Sequence, residues 1–523
     1  MGPSPTTPLA NGCLRVAARV LIGMVPPMVR RGELQEVELL DEHDVPLSSP
    51  PPRRRIAPGA VVVGALVVAA GLAATQWVIT ARERAAVEAL AQVPGVLAPV
   101  DETITVARTV AGEDAGTLFG HSEGVLDRAT DGSQSYTWVD GTGGGSGWTA
   151  ELMGPSAALA AVASGHVVSG STCVTDSAPS IDPVPATRVV CLVTDGAFVV
   201  DPTSGTGLER LPATTREVVV LSVADGSVLA RWPVDAGEYV AVLPDVVVLG
   251  SWSATDITLA GYDPLTGEQR WTRAEPLPRG FRLSDDDHLG ISLFRVGDLL
   301  GYSGPERSLL LLSADGRPVR DLDGELGGMV DAGWLTDQDG RIILQSQSAD
   351  APRTTFLAPD GDPAGDVTVD GRLVHTVLDD DSVPGLLLTA HRALCAWDER
   401  TGDALWANDE VVSAGSALVM RGRVFVTTAN GVVALDARTG ALVWATETER
   451  RMAVSAIATD AHHLLVMLDP TTRDGEPVLV AYDPASGHEE FRAHYPDGIS
   501  MVGPARRTLV GMDETTNEYV VLG

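Results

Sequence analysis

Few side chains in this 523-residue sequence have the type and spacing that chemistry requires. Clustered carboxylates come first, because Ca²⁺ is held by several oxygen ligands at once. The runs are Asp285-Asp286-Asp287-His288, Asp337-Gln338-Asp339-Gly340 and Asp379-Asp380-Asp381. A calcium loop begun at Asp337 meets Ser348 where its bidentate glutamate belongs, so the runs read as solvated loops. His462 and His463 lack ligand spacing, since neighbours on a strand point to opposite faces. The glycine run 141–147 has neither the lysine nor the helix start of a phosphate loop, and there is no Gly-x-Ser-x-Gly elbow. All 37 basic residues are arginine, which excludes Schiff-base and Walker-lysine chemistry. Against them stand 70 acidic residues, a net charge of −33 that repels phosphates and argues against a nucleic-acid partner. No catalytic, cofactor-binding or metal-binding residue is nominated.

Four cysteines are too few for a disulfide scaffold and wrongly spaced for a zinc ribbon. Cys173 and Cys191 lie in two apolar runs joined by a Pro- and Ser-rich stretch, 176–185. In a part of the chain outside the membrane, where disulfides persist, this strand–loop–strand pattern predicts a Cys173–Cys191 bridge; two buried free thiols are the alternative. Cys395 reads as a buried thiol in a strand. Cys13 follows a faint lipobox-like stretch, but no apolar helix precedes it and lipidation is rejected.

The elements around these residues fall into two textures. Residues 56–81 carry no charge, and 58–79 are long enough as a helix, about 33 Å, to cross a hydrocarbon core of about 30 Å. Trp77 suits an interface, and Arg53-Arg54-Arg55 outweigh Arg82 and Arg84 across Glu83, which predicts the N-terminus inside and the large C-terminal part outside. The sequence thus reads as a largely disordered cytoplasmic tail, 1–57, a transmembrane helix, 58–79, a helical stalk, 80–95, and an extracytoplasmic domain, 96–523. A cleaved signal peptide is the rival reading of the apolar stretch. The physiological start is expected at Met28.

The outer part repeats itself. Three segments align without gaps: Asp263 to Gly267 to Trp271, Asp398 to Gly402 to Trp406, and Asp436 to Gly440 to Trp444. A fourth, Asp483 to Gly487 to Phe491, keeps the spacing with Phe for Trp. Shorter copies lie at Asp225, Asp315 and Asp360. Each begins in a β-rich run, turns on an Asp that can bond the turn backbone and a Gly that supplies positive φ, and leaves by a second run whose aromatic ring fills the gap to a neighbouring sheet. Asp140 to Trp148 has the same eight-residue spacing and reads either as the source of a closing strand or as an extra unit. Units of about 40 residues built of strand and turn predict a β-propeller of four-stranded blades.

The Asp-x-x-Thr-Gly-x-x-x-Trp turn resembles the repeat of the pyrroloquinoline-quinone-type (quinoprotein, PQQ-like) β-propellers, a superfamily that also holds the propeller lipoprotein of outer-membrane assembly. The resemblance covers about residues 130–523 and implies an all-β fold, an eight-bladed propeller with seven as second choice. For the dehydrogenases of that superfamily it implies a catalytic aspartate, a Ca²⁺ held by Asn and acidic side chains and, in many, a vicinal disulfide over the quinone. This sequence has no adjacent cysteines, and its outer part has only Asn408, Asn430 and Asn517. The expectation is therefore a single-pass cell-membrane protein without a cofactor and not an enzyme. It would act as a binding scaffold for an extracytoplasmic protein or wall-polymer partner. A quinoprotein dehydrogenase is the alternative.

Overall fold

In the computed structural model the described residues are 76–523, apart from 78–80, 83, 111–123, 139–146, 162–166, 178–185, 201–207, 254, 278–290, 306, 324–331, 337–340, 347–350, 413, 430, 450, 473–474, 514 and 517. Their strands alternate with tight turns and pair antiparallel with the next strand in sequence, almost throughout. Nine sheets follow one another along the chain. Sheet 1 spans 124–153 and has three strands; sheets 2 to 6 span 172–233, 239–276, 292–321, 332–370 and 372–408, with four each. Sheet 7 spans 416–447 and takes a fifth strand, His375–Asp379, while sheets 8 (452–494) and 9 (499–522) complete the series. A small further sheet, Val167–Ser169 with Ala197–Val200 and Leu208–Leu211, continues beyond the hairpin of sheet 2.

Within a sheet the sequence pattern tells where each strand sits. Middle strands such as Val478–Tyr482 and Val424 to Val426 are buried on both faces and read as unbroken apolar runs. Outermost strands such as Leu442–Glu447 bury little beyond the indole of Trp444. First strands lie side by side around a centre: Tyr239–Leu243 packs beside Thr172–Thr175 and Ser292–Val296, and Met452–Thr459 beside Ser416–Met420 and Ile499–Ala505. Successive four-stranded sheets stacked face to face, with first strands inward, are the arrangement of a β-propeller.

The last sheet is closed from the other end of the chain. Val106–Val110 pairs antiparallel with Glu518–Leu522 as the fourth strand of sheet 9. The Thr105 and Gly523 backbones bond each other in both directions, at 2.9 and 3.0 Å. Trp148 lies beside sheet 1, its carbonyl accepting from the Trp138 amide at 2.9 Å, while the rest of the run, 140–146, lies outside the described residues.

The segment expected as a stalk is not free of the domain. Residues 84–90 are helical, and Leu90, Val96 and Leu97 are buried at 4%, 0% and 1% exposure. Leu90 and Val96 share a core with Leu378, Leu418, Met420 and Ile457, while Leu97 joins the core between sheets 8 and 9. The reason is legible only with the partner present: the apolar residues of this stretch match an apolar surface at the ends of the first strands of sheets 7 to 9. The expected cytoplasmic tail, the Met28 start and all but Gln76 and Trp77 of the expected membrane helix lie outside the described residues. Among the described residues no helix is long and apolar enough to cross a membrane.

Candidate functional site

The repeat turns are the most regular polar constellation in the molecule. In the first full copy the Asp263 carboxylate accepts from the amides of Leu265 and Thr266 at 3.0 and 2.9 Å and from Arg270 at 2.6 Å. Those donors, the Thr266 amide first and Arg270 next, pull its pKa down to about 2. Asp398 and Asp436 accept from Thr401 and Thr439 through amide and hydroxyl alike, and Asp483 does so from Ser486. Each of these three carboxyls is likewise held below its ordinary range, with Thr401, Thr439 and Ser486 as the leading donors. Gly267, Gly402, Gly440 and Gly487 close the turns at φ of 71°, 70°, 68° and 72°, a left-handed conformation that only glycine adopts without strain.

The aromatic ring of each unit docks on the glycine of the next. A Cβ on Gly487 would stand 2.6 Å from the Trp444 ring, one on Gly440 2.4 Å from Trp406, and one on Gly316 2.6 Å from Trp271. Trp232 covers Gly267, and Trp148 covers Gly226, in the same way. Every indole also donates to a carbonyl in the turn it covers: Trp148 to Val223, Trp232 to Pro264, Trp271 to Ala314, Trp406 to Ala437 and Trp444 to Pro484, at 2.6 to 3.2 Å. Phe491 has no such donor and instead meets the His463 ring edge-on at 5.3 Å. Trp271, Trp406 and Trp444 are thus each brought onto the turn glycine of the next sheet, whereas Gly402 faces Val367 and Phe491 stays within its own sheet. The indoles form staples and leave no free group for a reaction.

The second constellation is the inner end of sheets 7 to 9, where the N-terminal segment docks. Leu97 donates to the Thr459 carbonyl at 2.9 Å, Ala98 to the Arg507 carbonyl at 2.8 Å, and Val100 to the Asp460 carboxylate at 3.2 Å. Arg507 returns a bond to the Ala91 carbonyl at 2.8 Å. Buried Asp460 also accepts from the amides of His462 and His463 and faces His463 Nδ1 at 2.9 Å, while Glu490 faces Nε2 at 3.0 Å. A carboxylate-oriented imidazole is half of a nucleophilic triad, yet the other ring nitrogen meets a second carboxylate rather than a hydroxyl or thiol. The cluster therefore fixes a turn and anchors the incoming chain. Beside it, Gly95, His375, Val377, Leu378, Ile457, Ala458, Pro504 and Arg506 line a cavity of about 270 Å³.

His375–Asp379 runs parallel to Ser416–Met420 along the inner edge of sheet 7, and so occupies space near the centre. Asp379 at its end is pushed up to about 6, first by burial and further by Asp381, Asp380 and Glu399. Sequence reading took Asp379 to Asp381 as a solvated loop and missed the strand, whose His-Thr-Val-Leu-Asp pattern carries only a weak strand signal. The runs at 285–288 and 337–340, and the glycine run up to 146, lie outside the described residues.

The Cys173–Cys191 disulfide is present, joining directly paired residues of the first two strands of sheet 2 over a separation of 18. Asp176 ties the loop that follows, accepting from Thr187 and Arg188; burial works against its charge, but these donors win and its pKa is lowered. Cys395 is buried as expected but is not the expected thiol, because among the described residues no cysteine is free.

Residues 390–511 match the family model described as outer membrane protein assembly factor BamB. Among solved structures, BamB from Moraxella catarrhalis is 16% identical at a TM-score of 0.31, over 67% of this chain and 96% of its own. The computationally designed Ika8 protein is 12% identical at 0.28, over 62% and 94%. Dihydro-heme d1 dehydrogenase NirN is 14% identical at 0.28, over 71% and 72%. No curated protein matches the chain. The matched segment holds three of the four full turns, those at Asp398, Asp436 and Asp483, so residues 390–511 are similar to the PQQ-like repeat family.

Proposed function

We propose that this protein is a non-catalytic binding scaffold, a PQQ-like β-propeller held on the outer side of a membrane by one N-terminal span over 58–79. Eight sheets have four strands or more, which supports eight full blades, with the three-stranded sheet 1 as an additional unit packed on sheet 2. The observation that carries the non-catalytic reading is that the chain's own segments cover the inner edge of sheets 7 to 9. The strand His375–Asp379 lies along the inner edge of sheet 7, and Leu90, Val96 and Leu97 plug the inner ends of sheets 7 to 9.

That environment does not fit a quinone held by Ca²⁺. Asn408 is already engaged, donating to the Gly440 carbonyl at 2.9 Å and accepting from Glu410 and Val411. No group of three His, Cys, Asp or Glu side chains among the described residues could hold a metal ion. A rigid body that displays many turn loops at low entropic cost suits binding, and fold alone does not carry an activity across.

The test is calorimetric titration of the full chain in detergent with pyrroloquinoline quinone and Ca²⁺, followed by a dye-linked alcohol and sugar oxidation assay. No heat and no turnover are expected; micromolar binding with turnover would establish the enzyme instead. Topology is tested separately. Protease added to intact cells should remove an epitope after residue 100 and spare one near Glu38, and the opposite pattern overturns the orientation.

A further inference from the structure

The cavity beside the docked N-terminal segment has an unusual lining. Leu378, Ile457, Ala458 and Pro504 supply apolar wall, and the only polar side chains in it are those of His375 and Arg506. No carboxylate lines it, in a chain with 70 acidic residues. Asp460, two residues beyond Ala458, is spent on the amides of Val100, His462 and His463. Asp379 follows Leu378 but forms no part of the wall.

Arg506 differs from the other arginines at this end of the molecule. It is the first residue of the two-residue turn between Ile499–Ala505 and Thr508–Asp513, at φ 53°. Sheet 4 has Gly297 at the same turn position, φ 55°, and glycine adopts that conformation without strain. Sheet 7 has Arg421 there, also at 53°, and its guanidinium donates to the Ala461 carbonyl of sheet 8 at 2.7 Å. The neighbouring Arg507 donates to the Ala91 carbonyl. Arg506 makes no such bond: among the described residues neither its side chain nor that of His375 has a hydrogen bond or ion pair. A half-buried guanidinium without a counter-charge, kept at a strained position where glycine would serve the turn, calls for an anion.

The volume sets the size of that anion. A cavity of about 150 Å³ takes a benzene ring, so one of about 270 Å³ admits a ring with a carboxylate attached. The guanidinium fork matches a carboxylate through two parallel bonds, and an imidazole has an N–H to donate in either protonation state. The net charge of −33 opposes an anion at a distance, but at physiological salt that field decays over about 8 Å, so the local cation decides.

We propose that this cavity binds a small monocarboxylic acid whose apolar body is about the size of one ring, with the carboxylate paired to Arg506 and bonded by His375. Because Gly95 forms part of the wall, occupancy also favours the docked position of the N-terminal segment.

Calorimetric titration of the full chain in detergent with sodium benzoate tests this, with benzamide as the neutral probe of the same shape and protein-free micelles as the blank. Benzoate should bind saturably with a Kd of about 1 mM or below, and about 10-fold or more tighter than benzamide. Arg506→Gly suits the turn as Gly297 does, so it should leave the urea midpoint unchanged or raised while weakening benzoate about 10-fold or more. His375→Ala should weaken it about 3-fold. In hydrogen exchange, benzoate should slow the amides of Leu97 and Ala98 and leave those of Val246–Trp252 in sheet 3 unchanged. Absence of saturable heat up to about 10 mM benzoate overturns the proposal. So does equal affinity for benzamide, or an Arg506→Gly variant that binds benzoate as tightly as the native chain. Benzoate bound without turnover leaves the non-catalytic reading intact, so the two stand or fall separately.

Discussion

Trp444 shows what one repeat residue does. Its ring is 9% exposed, covers Gly487 and donates to the Pro484 carbonyl at 3.1 Å. Trp444→Ala should cost about 3–5 kcal/mol, the usual range for an aromatic removed from a core, read as a shift of the urea midpoint at constant slope. Gly487→Ala attacks the same staple from the other side, since the new Cβ meets the ring at 2.6 Å on backbone at φ 72°; it should cost more than about 1 kcal/mol. Asp379 makes a different case. Its folded pKa of about 6 lies above the ordinary value, so its stabilising contribution is full below about pH 3.9 and is lost as pH rises through 6. At pH 8 the carboxylate is a half-buried charge beside Asp380, Asp381 and Glu399. Asp379→Asn keeps the acceptor for the Asp381 amide and should stabilise the protein by about 1 kcal/mol at pH 8, after discounting for solvent screening, with no gain at pH 4. Denaturation of both proteins at the two pH values checks this; a gain of equal size at pH 4 would contradict the half-buried-charge account. The staple residues were legible in the sequence because the turn needs Asp, Gly and an aromatic at fixed offsets. The buried ion pair of Arg320 with Asp366, 2.7 Å across sheets 4 and 5, was not, because it stands where other units have an indole, leaves no aromatic mark and joins residues 46 apart.

At the scale of elements, what a sequence reveals depends on whether an element carries its own signal. Sheets 7 and 8 repeat a strong alternation of apolar runs and Asp-Gly turns, and the four strands of each stand where that pattern puts them. Val106–Val110 escapes notice because only its last residue is buried; its identity as a strand comes from pairing with Glu518–Leu522. Residues 84–90 were recognised as helical, but their docking was hidden because an amphipathic helix looks the same whichever surface it meets. The Cys173–Cys191 bridge was foreseen from strand–loop–strand spacing, and Cys173 and Cys191 are indeed direct partners across two strands. Closing a loop of this length restricts the unfolded chain by about 3 kcal/mol in the entropic account. Cys173→Ser with Cys191→Ser should therefore lower stability by up to that amount while leaving the far-ultraviolet dichroism intact. The loss should be independent of added thiol in the variant and appear on reduction in the native protein. An unchanged urea midpoint in the variant contradicts a constraining role for the bridge.

For the molecule as a whole, the N-terminal segment is the hinge of the argument. If residues 58–79 cross the membrane, the joint between membrane and propeller is not a loose tether. Only a few residues separate the apolar stretch from the docked helix, and the segment from that helix to Val110 is bonded into sheets 8 and 9. Leu97, Ala98 and Val100 donate to sheets 8 and 9, Arg507 holds the helix end, and Val106–Val110 completes the last sheet. On the proposed topology, a body fastened in this way would keep a fixed orientation to the bilayer without a separate domain. The prediction is made on Leu97, 1% exposed between the two sheets. Leu97→Asp places an unpaired carboxylate in that core and should release the segment while the pairing of Val106–Val110 with Glu518–Leu522 holds the last sheet closed. In limited proteolysis with trypsin the native chain should resist cleavage at Arg82 and Arg84 and stay joined through 84–105, whereas the variant is cut there early and its propeller fragment persists. Equal, rapid cleavage of both proteins would show that the segment swings freely, and the propeller would then be tethered rather than oriented.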